Sequence, residues 1–151
     1  MIDRTAFMAI EFECRQLAIL ATNLMDSGDY EAMAALFTED GVFVRPSTYP
    51  DGALKGAAAI VATLRERFDN SLSRHLASNL VITVKSFDQA EGHSYFTHFW
   101  CTRLDRFASL PVPLQGTLQS VGEYRDRYER TEVGWRIASR TGRFIFRNLP
   151  A

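Results

Sequence analysis

The sequence is short of cysteine and of lysine, and each shortage excludes a class of protein. Cys14 and Cys101 lie far apart, and neither belongs to a CxxC or CxH motif. This spacing indicates neither a disulfide framework nor a zinc site, so we expect both thiols to be reduced core residues. Because Lys55 and Lys85 are the only lysines, arginine carries almost all the positive charge, and arginine suits planar ion pairs and carboxylate recognition.

A strong net charge and a long apolar run are also lacking. The formal net charge is -1 and the sequence pI is about 6.3, so no long-range field would gather polyanions, and we expect no nucleic-acid partner. No uninterrupted apolar run approaches membrane-spanning length, and charged Asp3 and Arg4 closely follow Met1. We therefore expect no signal peptide, no transmembrane helix and a cytoplasmic location.

What is present is enough apolar side chain for one core. With 151 residues, 46% hydrophobic and 12% aromatic, the chain can fill a single core but is too short for two ordinary domains. Residues 1–151 are therefore expected to form one domain.

The first part of the chain has the pattern of helices. Apolar residues from Phe7 to Leu24 recur at steps of three and four, which predicts an amphipathic helix over residues 4–25. Asp29 can cap a second, short helix, after which Thr38-Glu39-Asp40-Gly41 turns the chain and a strand begins at Val42. Gly56 opens a third helix that extends to about Asn70.

From Ser73 onward the period changes to two, which predicts strands over 74–86, 89–104, 117–131 and 135–146. Strands of this length must twist and coil, so their sheet has a concave face that helices close only in part. The result is a conical cup with a pocket, and the loop 105–116 could lie over its mouth.

This order of elements resembles the nuclear-transport-factor-2-like (NTF2-like) superfamily and, within it, the SnoaL-like branch. The resemblance covers residues 4–146 and rests on DSGDYEAMAALFTEDGVF, on the helix start at Gly56, on RHLASN and on GWRIASR. It implies an α+β cone in which N-terminal helices pack in the concave face of a strongly curved, mainly antiparallel sheet. Because such cones host several chemistries as well as inert binding modules, fold alone does not fix function.

Three residues resemble those of the scytalone dehydratase branch. Met25-Asp26-Ser27 matches its Asp after the first helix, His75 its strand histidine and His98 a second histidine on the next strand. The resemblance implies that Asp26 orients His75 as general acid or base while His98 positions the leaving group, with no metal and no cofactor. The chain departs from that branch at Val44, where the branch has a tyrosine, and on the later strand, at positions 122 and 124.

The residues themselves leave alternatives open. On a helical wheel Asp26 falls opposite the Phe7 to Leu24 stripe, so it could merely end the helix through an Asx-type turn. His75 shares a strand face with Asn79 and Val81, which suits either a polar-lined cavity or a sheet rim. His93 and His98 point to opposite sides of a regular strand, and His98 is chosen by resemblance.

Further side chains are candidates for substrate binding. Phe96 and Trp100 could equally be plain core, and Arg140 could instead form an ion pair with Asp126 on the neighbouring strand. The substrate-binding candidates are Tyr49, Asn79, Phe96, Trp100, Tyr124 and Arg140.

Two further expectations follow. Both strand faces around residues 95–101 carry large apolar groups, which predicts a homodimer packed sheet to sheet. The first function hypothesis is a cofactor-free lyase or isomerase acting on a small cyclic or polyketide-like hydroxy-carbonyl compound. The second is a non-catalytic binding or assembly module resembling the small subunit of a ring-hydroxylating dioxygenase. An Asp26–His75 contact facing an open cavity favours the first, and a filled cavity favours the second.

Overall fold

A computed structural model describes residues 2–102, 110–113 and 117–148. Most of the loop 105–116, expected over the cup mouth, lies outside these ranges. None of the helices in them is long and apolar enough to cross a membrane. In chain order the described elements are α1 (Arg4–Ser27), α2 (Tyr30–Ala34), β1 (Phe37–Val44), β2 (Ala53–Lys55), α3 (Gly56–Phe68), β3 (Ser71–Val84), β4 (Gln89–Thr102), β5 (Leu118–Thr131) and β6 (Gly134–Arg147).

The strands form one curved, unclosed sheet in the order β2-β1-β6-β5-β4-β3. Neighbours are antiparallel except β1 and β6, which run parallel. The four long C-terminal strands occur where the period of two predicts them, and the N-terminal helices pack on one face of the sheet. The expected α+β class, with helices against a curved and mainly antiparallel sheet, is confirmed.

Helix α1 ends two residues later than predicted. Asp3 caps its N-terminus with a carboxylate that accepts from the backbone N–H of Ala6, and Gly28 caps its C-terminus with a φ of 80°, in the left-handed region. Asp26 therefore lies inside the last helical turn and does not end the helix. The buried side chains of the helix are Ile10, Cys14, Ala18, Ala21, Thr22 and Met25.

This buried face is rotated from the expected stripe, because Phe7 is 41% exposed while Thr22 is 2% exposed. Asp26 follows Met25 directly and lies four residues after Thr22, so it stands at the edge of the buried face. The Asp26 side chain can therefore reach the sheet.

Strand β1 begins earlier than predicted. The sequence predicts a turn over 38–41 and a strand from Val42, whereas the strand starts at Phe37. Phe37 pairs with Ile137 of β6 and Val42 pairs with Ser139, so the residues between them form a bulge. The predicted turn over 38–41 is wrong, because these residues lie within the strand and form the bulge.

A second bulge changes the faces of β3. The pairing with β4 shifts between Ser78 and Val81, and Asn79 has a φ of 51°. Beyond the bulge the alternation is inverted, so Val81 is 61% exposed and Ile82 is 6% exposed. The expectation that Asn79 and Val81 share the face of His75 is therefore wrong for Val81, and Asn79 is an exposed residue of the bulge.

A buried ion pair ties the sheet to α1. The Arg140 guanidinium donates from Nε to Asp126 Oδ1 at 2.9 Å and from Nη2 to Oδ2 at 2.7 Å. Nη2 also donates to the carbonyl of Ala18, and the Tyr128 hydroxyl donates to Asp126 Oδ2 at 2.8 Å. The ion pair that the sequence offered as the alternative for Arg140 is confirmed.

We expect Asp126→Ala to lower the free energy of unfolding by about 3–5 kcal/mol, because Arg140 would be left charged and unpaired in the core. The double variant Asp126→Leu with Arg140→Met should lose less unfolding free energy than Asp126→Ala, since neither member of the buried ion pair remains. Urea denaturation of the two variants and the wild type measures both effects. A double variant less stable than Asp126→Ala would contradict this account.

The sheet face opposite His98 carries exposed apolar side chains, and the homodimer stays a prediction. The exposed set is Leu76, Val81, Tyr95, Val121 and Phe146. Light scattering at micromolar concentration should give a dimeric mass for the wild type and a monomeric mass for Val81→Glu, because a buried charge would oppose sheet packing. A monomeric wild type would contradict the prediction.

Candidate functional site

The sheet register brings the candidate residues together. Ser73 and His75 are two residues apart on β3, so both side chains point to the concave face. His75 is paired with His98 on β4, which places the two imidazoles side by side. Asp26, in the last turn of α1, faces this point of the sheet.

The Asp26 carboxylate accepts three hydrogen bonds. Oδ1 accepts from His75 Nδ1 at 2.7 Å and from the Ser73 hydroxyl at 2.8 Å, and Oδ2 accepts from the His75 backbone N–H at 2.6 Å. The side chains of His75 and Asp26 are only 4% and 10% exposed.

These bonds decide the charge of Asp26. Burial acts to raise the pKa of Asp26, but the hydrogen bonds and charge of His75 and the hydroxyl of Ser73 outweigh it and hold the pKa below its ordinary value. An ionised carboxylate only accepts, so Nδ1 of His75 carries a proton. In the described part of the chain, Nε2 of His75 has no hydrogen-bond partner.

Ser73 fixes the tautomer of His98. The hydroxyl has one proton, which it donates to Asp26, so it accepts from His98 Nε2 at 3.0 Å. Burial lowers the pKa of His98 to about 3, with help from the charge of His75. His98 is therefore neutral near pH 7, with its proton on Nε2 and an acceptor lone pair on Nδ1.

The two imidazoles are held rigidly. Their rings stack with centroids 4.0 Å apart at an interplanar angle of 11°. Phe96 meets His75 edge-on with centroids 6.1 Å apart, and Tyr124 packs on Phe96 at 4.6 Å. The ring packing limits rotation of the imidazoles.

His75 and His98 line a cavity on the concave face. Its volume is about 40 Å³, against roughly 300–1,000 Å³ for typical ligand pockets. As it stands the cavity has room for a few water molecules and not for a ring compound. Besides the two histidines its lining is Met25, Phe43, Arg45, Pro46, Ser47, Leu64, Arg67, Phe68, Phe96, Trp100, Leu118, Tyr124, Phe144 and Arg147.

Half of the candidate substrate-binding residues line this cavity, namely Phe96, Trp100 and Tyr124. The other three lie elsewhere in the described structure. Tyr49 is 46% exposed and lines a groove on the outer face of the sheet. Asn79 is exposed at the bulge of β3, and Arg140 is held in the core by Asp126.

Four residues of the site are not predicted from the sequence. Ser73 precedes His75 by two positions, so the strand alternation could have identified it. Arg45, Arg67 and Arg147 come from the end of β1, from α3 and from the end of β6. Only the folded sheet brings these three arginines to one cavity.

Asp26 is also reached from a second side. A polar pocket of about 510 Å³ lies between the ends of α1 and α3 and the start of β3. Asp26 and Ser73 line it together with Tyr30, Arg65 and Asn70. Solvent can therefore approach the carboxylate without entering the cavity of the histidines.

Among the described residues, no group of three His, Cys, Asp or Glu side chains is placed to hold a metal ion. The two cysteines in this part of the chain are both free thiols. The absence of a metal or cofactor from the reaction stays a prediction.

Comparison with known proteins identifies relatives by sequence and by fold. A family model described as a SnoaL-like domain matches residues 8–141. No curated protein matches the chain.

Solved structures share the fold. An NTF2-like protein with a cystatin-like fold from Novosphingobium aromaticivorans is 26% identical, covering 96% of this chain and 92% of its own, with a TM-score of 0.68. A provisionally named scytalone dehydratase from the same species is 20% identical over 100% and 93%, with a TM-score of 0.75. Hexachlorocyclohexane dehydrochlorinase LinA type 3 from Novosphingobium barchaimii is 15% identical over 99% and 95%, with a TM-score of 0.80.

The buried, neutral state of His98 makes stability depend on pH. Its pKa is about 3 in the folded protein and 6.5 ordinarily, so between these values the unfolded chain binds more protons and a fall in pH favours unfolding. At about 1.4 kcal/mol per pH unit, this histidine should cost about 2 kcal/mol of unfolding free energy between pH 7.5 and 5.

The variant His98→Gln tests this assignment, because its amide can still donate to Ser73 and does not titrate. Between pH 7.5 and 5, the free energy of unfolding of the variant should fall by about 2 kcal/mol less than that of the wild type, as measured by urea denaturation. Stability curves that remain parallel over this range would show that His98 does not stay neutral through burial.

Proposed function

The chain belongs to the SnoaL-like domain family, and from that premise we propose that it is a cofactor-free lyase or isomerase. The proposed substrate is a small cyclic or polyketide-like hydroxy-carbonyl compound. One observation carries the proposal: Asp26 binds Nδ1 of His75 at 2.7 Å, and Nε2, beside the cavity, has no partner among the described residues. This is the arrangement of a general base with its orienting carboxylate.

The first step is removal of a proton from the carbon next to the substrate carbonyl. Nε2 of His75 takes this proton, and the electron pair moves to the carbonyl oxygen to give an enolate. The ionised Asp26 stabilises the imidazolium that forms, because the two charges are opposite and in contact. Such acid–base assistance accelerates reactions by about 10²–10⁴-fold.

The second step returns the same proton. In a dehydration, the enolate expels a hydroxyl group from the next carbon as His75 Nε2–H protonates it, and water leaves. In an isomerisation, the proton goes back to a different carbon. His98 is proposed to position the hydroxyl through its Nδ1 lone pair, since its Nε2–H is held by Ser73.

The lining supports a ring compound as substrate. Phe43, Phe68, Phe96, Trp100 and Tyr124 contribute aromatic faces to the cavity. Two structural neighbours are named as a scytalone dehydratase and a hexachlorocyclohexane dehydrochlorinase, but at 20% and 15% identity these likenesses show a shared fold only. The proposal therefore rests on the geometry of Asp26 and His75.

The small cavity favours the second candidate, a non-catalytic binding or assembly module. A volume of about 40 Å³ resembles a packed interior more than a substrate pocket. For catalysis, side chains at the mouth must move outward to admit a ring. A catalytic assay therefore separates the two candidates.

We expect the protein to dehydrate 3-hydroxy-1-tetralone, a cyclic β-hydroxy ketone, to 1-naphthol, which can be followed by fluorescence. His75→Ala and Asp26→Asn should each lower kcat by about 10²–10⁴-fold, because one removes the base and the other its orienting charge. Circular dichroism should show that both variants remain folded.

His93→Ala is the matched control. His93 lies on the neighbouring strand with its side chain on the opposite face, bound to Glu123. This variant should keep the wild-type rate. Equal rates for the wild type and His75→Ala would contradict the proposed base, and an inactive wild type would favour the non-catalytic module.

A further inference from the structure

Three arginines place positive charge around the cavity of the histidines. Arg45, Arg67 and Arg147 all line it, and its described lining contains no Asp or Glu. Across the described ranges none of these three guanidinium groups forms a salt bridge, although other arginines of the chain do. Three guanidinium groups around one cavity, without salt bridges in these ranges, indicate that the cavity binds an anion.

Two buried donors in the same lining also lack acceptors. Nε of Arg45 and Nε1 of Trp100 are both inaccessible to solvent, and neither has a hydrogen-bond partner in the described structure. A buried N–H without an acceptor is costly, and most such groups in folded proteins are paired. Oxygen acceptors on a bound molecule would satisfy both.

The arginines also disfavour one another. Burial lowers the pKa of Arg45, the positive charge of Arg67 lowers it further, and Glu66 compensates only in part. Arg67 and Arg147 likewise act on His98 in the direction that lowers its pKa. A bound anion would relieve this repulsion.

We propose that the ligand of this cavity is a carboxylate-bearing ring compound, with the carboxylate held by Arg45, Arg67 and Arg147 and the ring against the aromatic lining. The inference deepens the proposed function and rests on it for the chemistry that follows binding. The carboxylate fixes one end of the ring and leaves the other end toward Nε2 of His75. The Trp100 N–H would donate to an oxygen of the same compound.

The position of the arginines also accounts for how a ring could enter. Arg67 and Arg147 are exposed residues with long, flexible side chains, so they can turn toward solvent without disturbing the core. The rings of Phe43, Phe96 and Tyr124 behind them belong to the core. After the ring enters, Arg67 and Arg147 would turn back and bind the carboxylate.

Binding can be tested without turnover. Titration calorimetry, with fluorescence of Trp100 as a second readout, should give a Kd for benzoate at least about tenfold below that for benzamide, which has the same shape and no charge. The benzoate Kd should rise with ionic strength. Arg45→Gln should weaken benzoate binding about tenfold or more. Arg67→Gln and Arg147→Gln should also weaken it, and because both residues are exposed, these variants are expected to remain folded.

Arg125→Gln is the control, because Arg125 is an exposed arginine on the outer face of the sheet, near Glu123 at 3.7 Å. It should leave benzoate binding unchanged. Equal affinities for benzoate and benzamide, no binding of either, or an Arg125→Gln effect as large as that of Arg45→Gln would overturn the inference. Sulfate binding as tightly as benzoate would overturn the role of the ring.

The two proposals fail separately. Selective benzoate binding by a protein that does not dehydrate 3-hydroxy-1-tetralone would contradict only the proposed reaction. Dehydration of this uncharged ketone without any preference for benzoate over benzamide would contradict only the carboxylate inference.

Discussion

The site depends on one carboxylate that accepts three hydrogen bonds. Asp26 joins the end of α1 to β3 through the side chain and the backbone of His75 and through the hydroxyl of Ser73. Because one bond goes to the backbone, the carboxylate fixes the position of the strand as well as the orientation of the imidazole. The tautomers of both histidines follow from its negative charge, one directly and the other through Ser73.

The sequence was sufficient for much of the fold, because helix and strand periods are local properties. The four long strands and the helices lie within a few residues of their predicted bounds. Two of the errors in the strands occurred at the bulges. An inserted residue inverts the alternation of a strand and leaves no reliable local signal, so the face of Val81 and the start of β1 were misjudged.

The site was predictable in part for the same reason. Asp26, His75 and His98 carry a recognisable pattern, and the structure places them in contact through Ser73. Arg45, Arg67 and Arg147 lie far apart in the sequence on three elements, and their convergence depends on sheet order and curvature. Long-range electrostatics of this kind can be evaluated only when the fold is known.

Asp26 and Asp126 are two carboxylates of the described structure whose surroundings assign them different roles. Asp126 is bound by Arg140 and Tyr128, and its two oxygens are occupied by donors that have no access to the cavity. Such a closed pair fixes the packing of α1 against the sheet. Asp26 instead binds the imidazole of His75, whose Nε2 has no hydrogen-bond partner in the part of the chain that the structure describes.

A continuous series of ring contacts connects these two carboxylates. Arg140 lies 4.8 Å from the Tyr124 ring, Tyr124 packs on Phe96, and Phe96 meets the edge of His75. Gly122 makes this possible, because a Cβ there would lie only 2.3 Å from the Phe96 ring. The Asp126–Arg140 ion pair thus supports the rings that hold the imidazole of His75. The two carboxylates differ in their partners: the arginine bound to Asp126 lies in the core, whereas the imidazole bound to Asp26 lines a cavity.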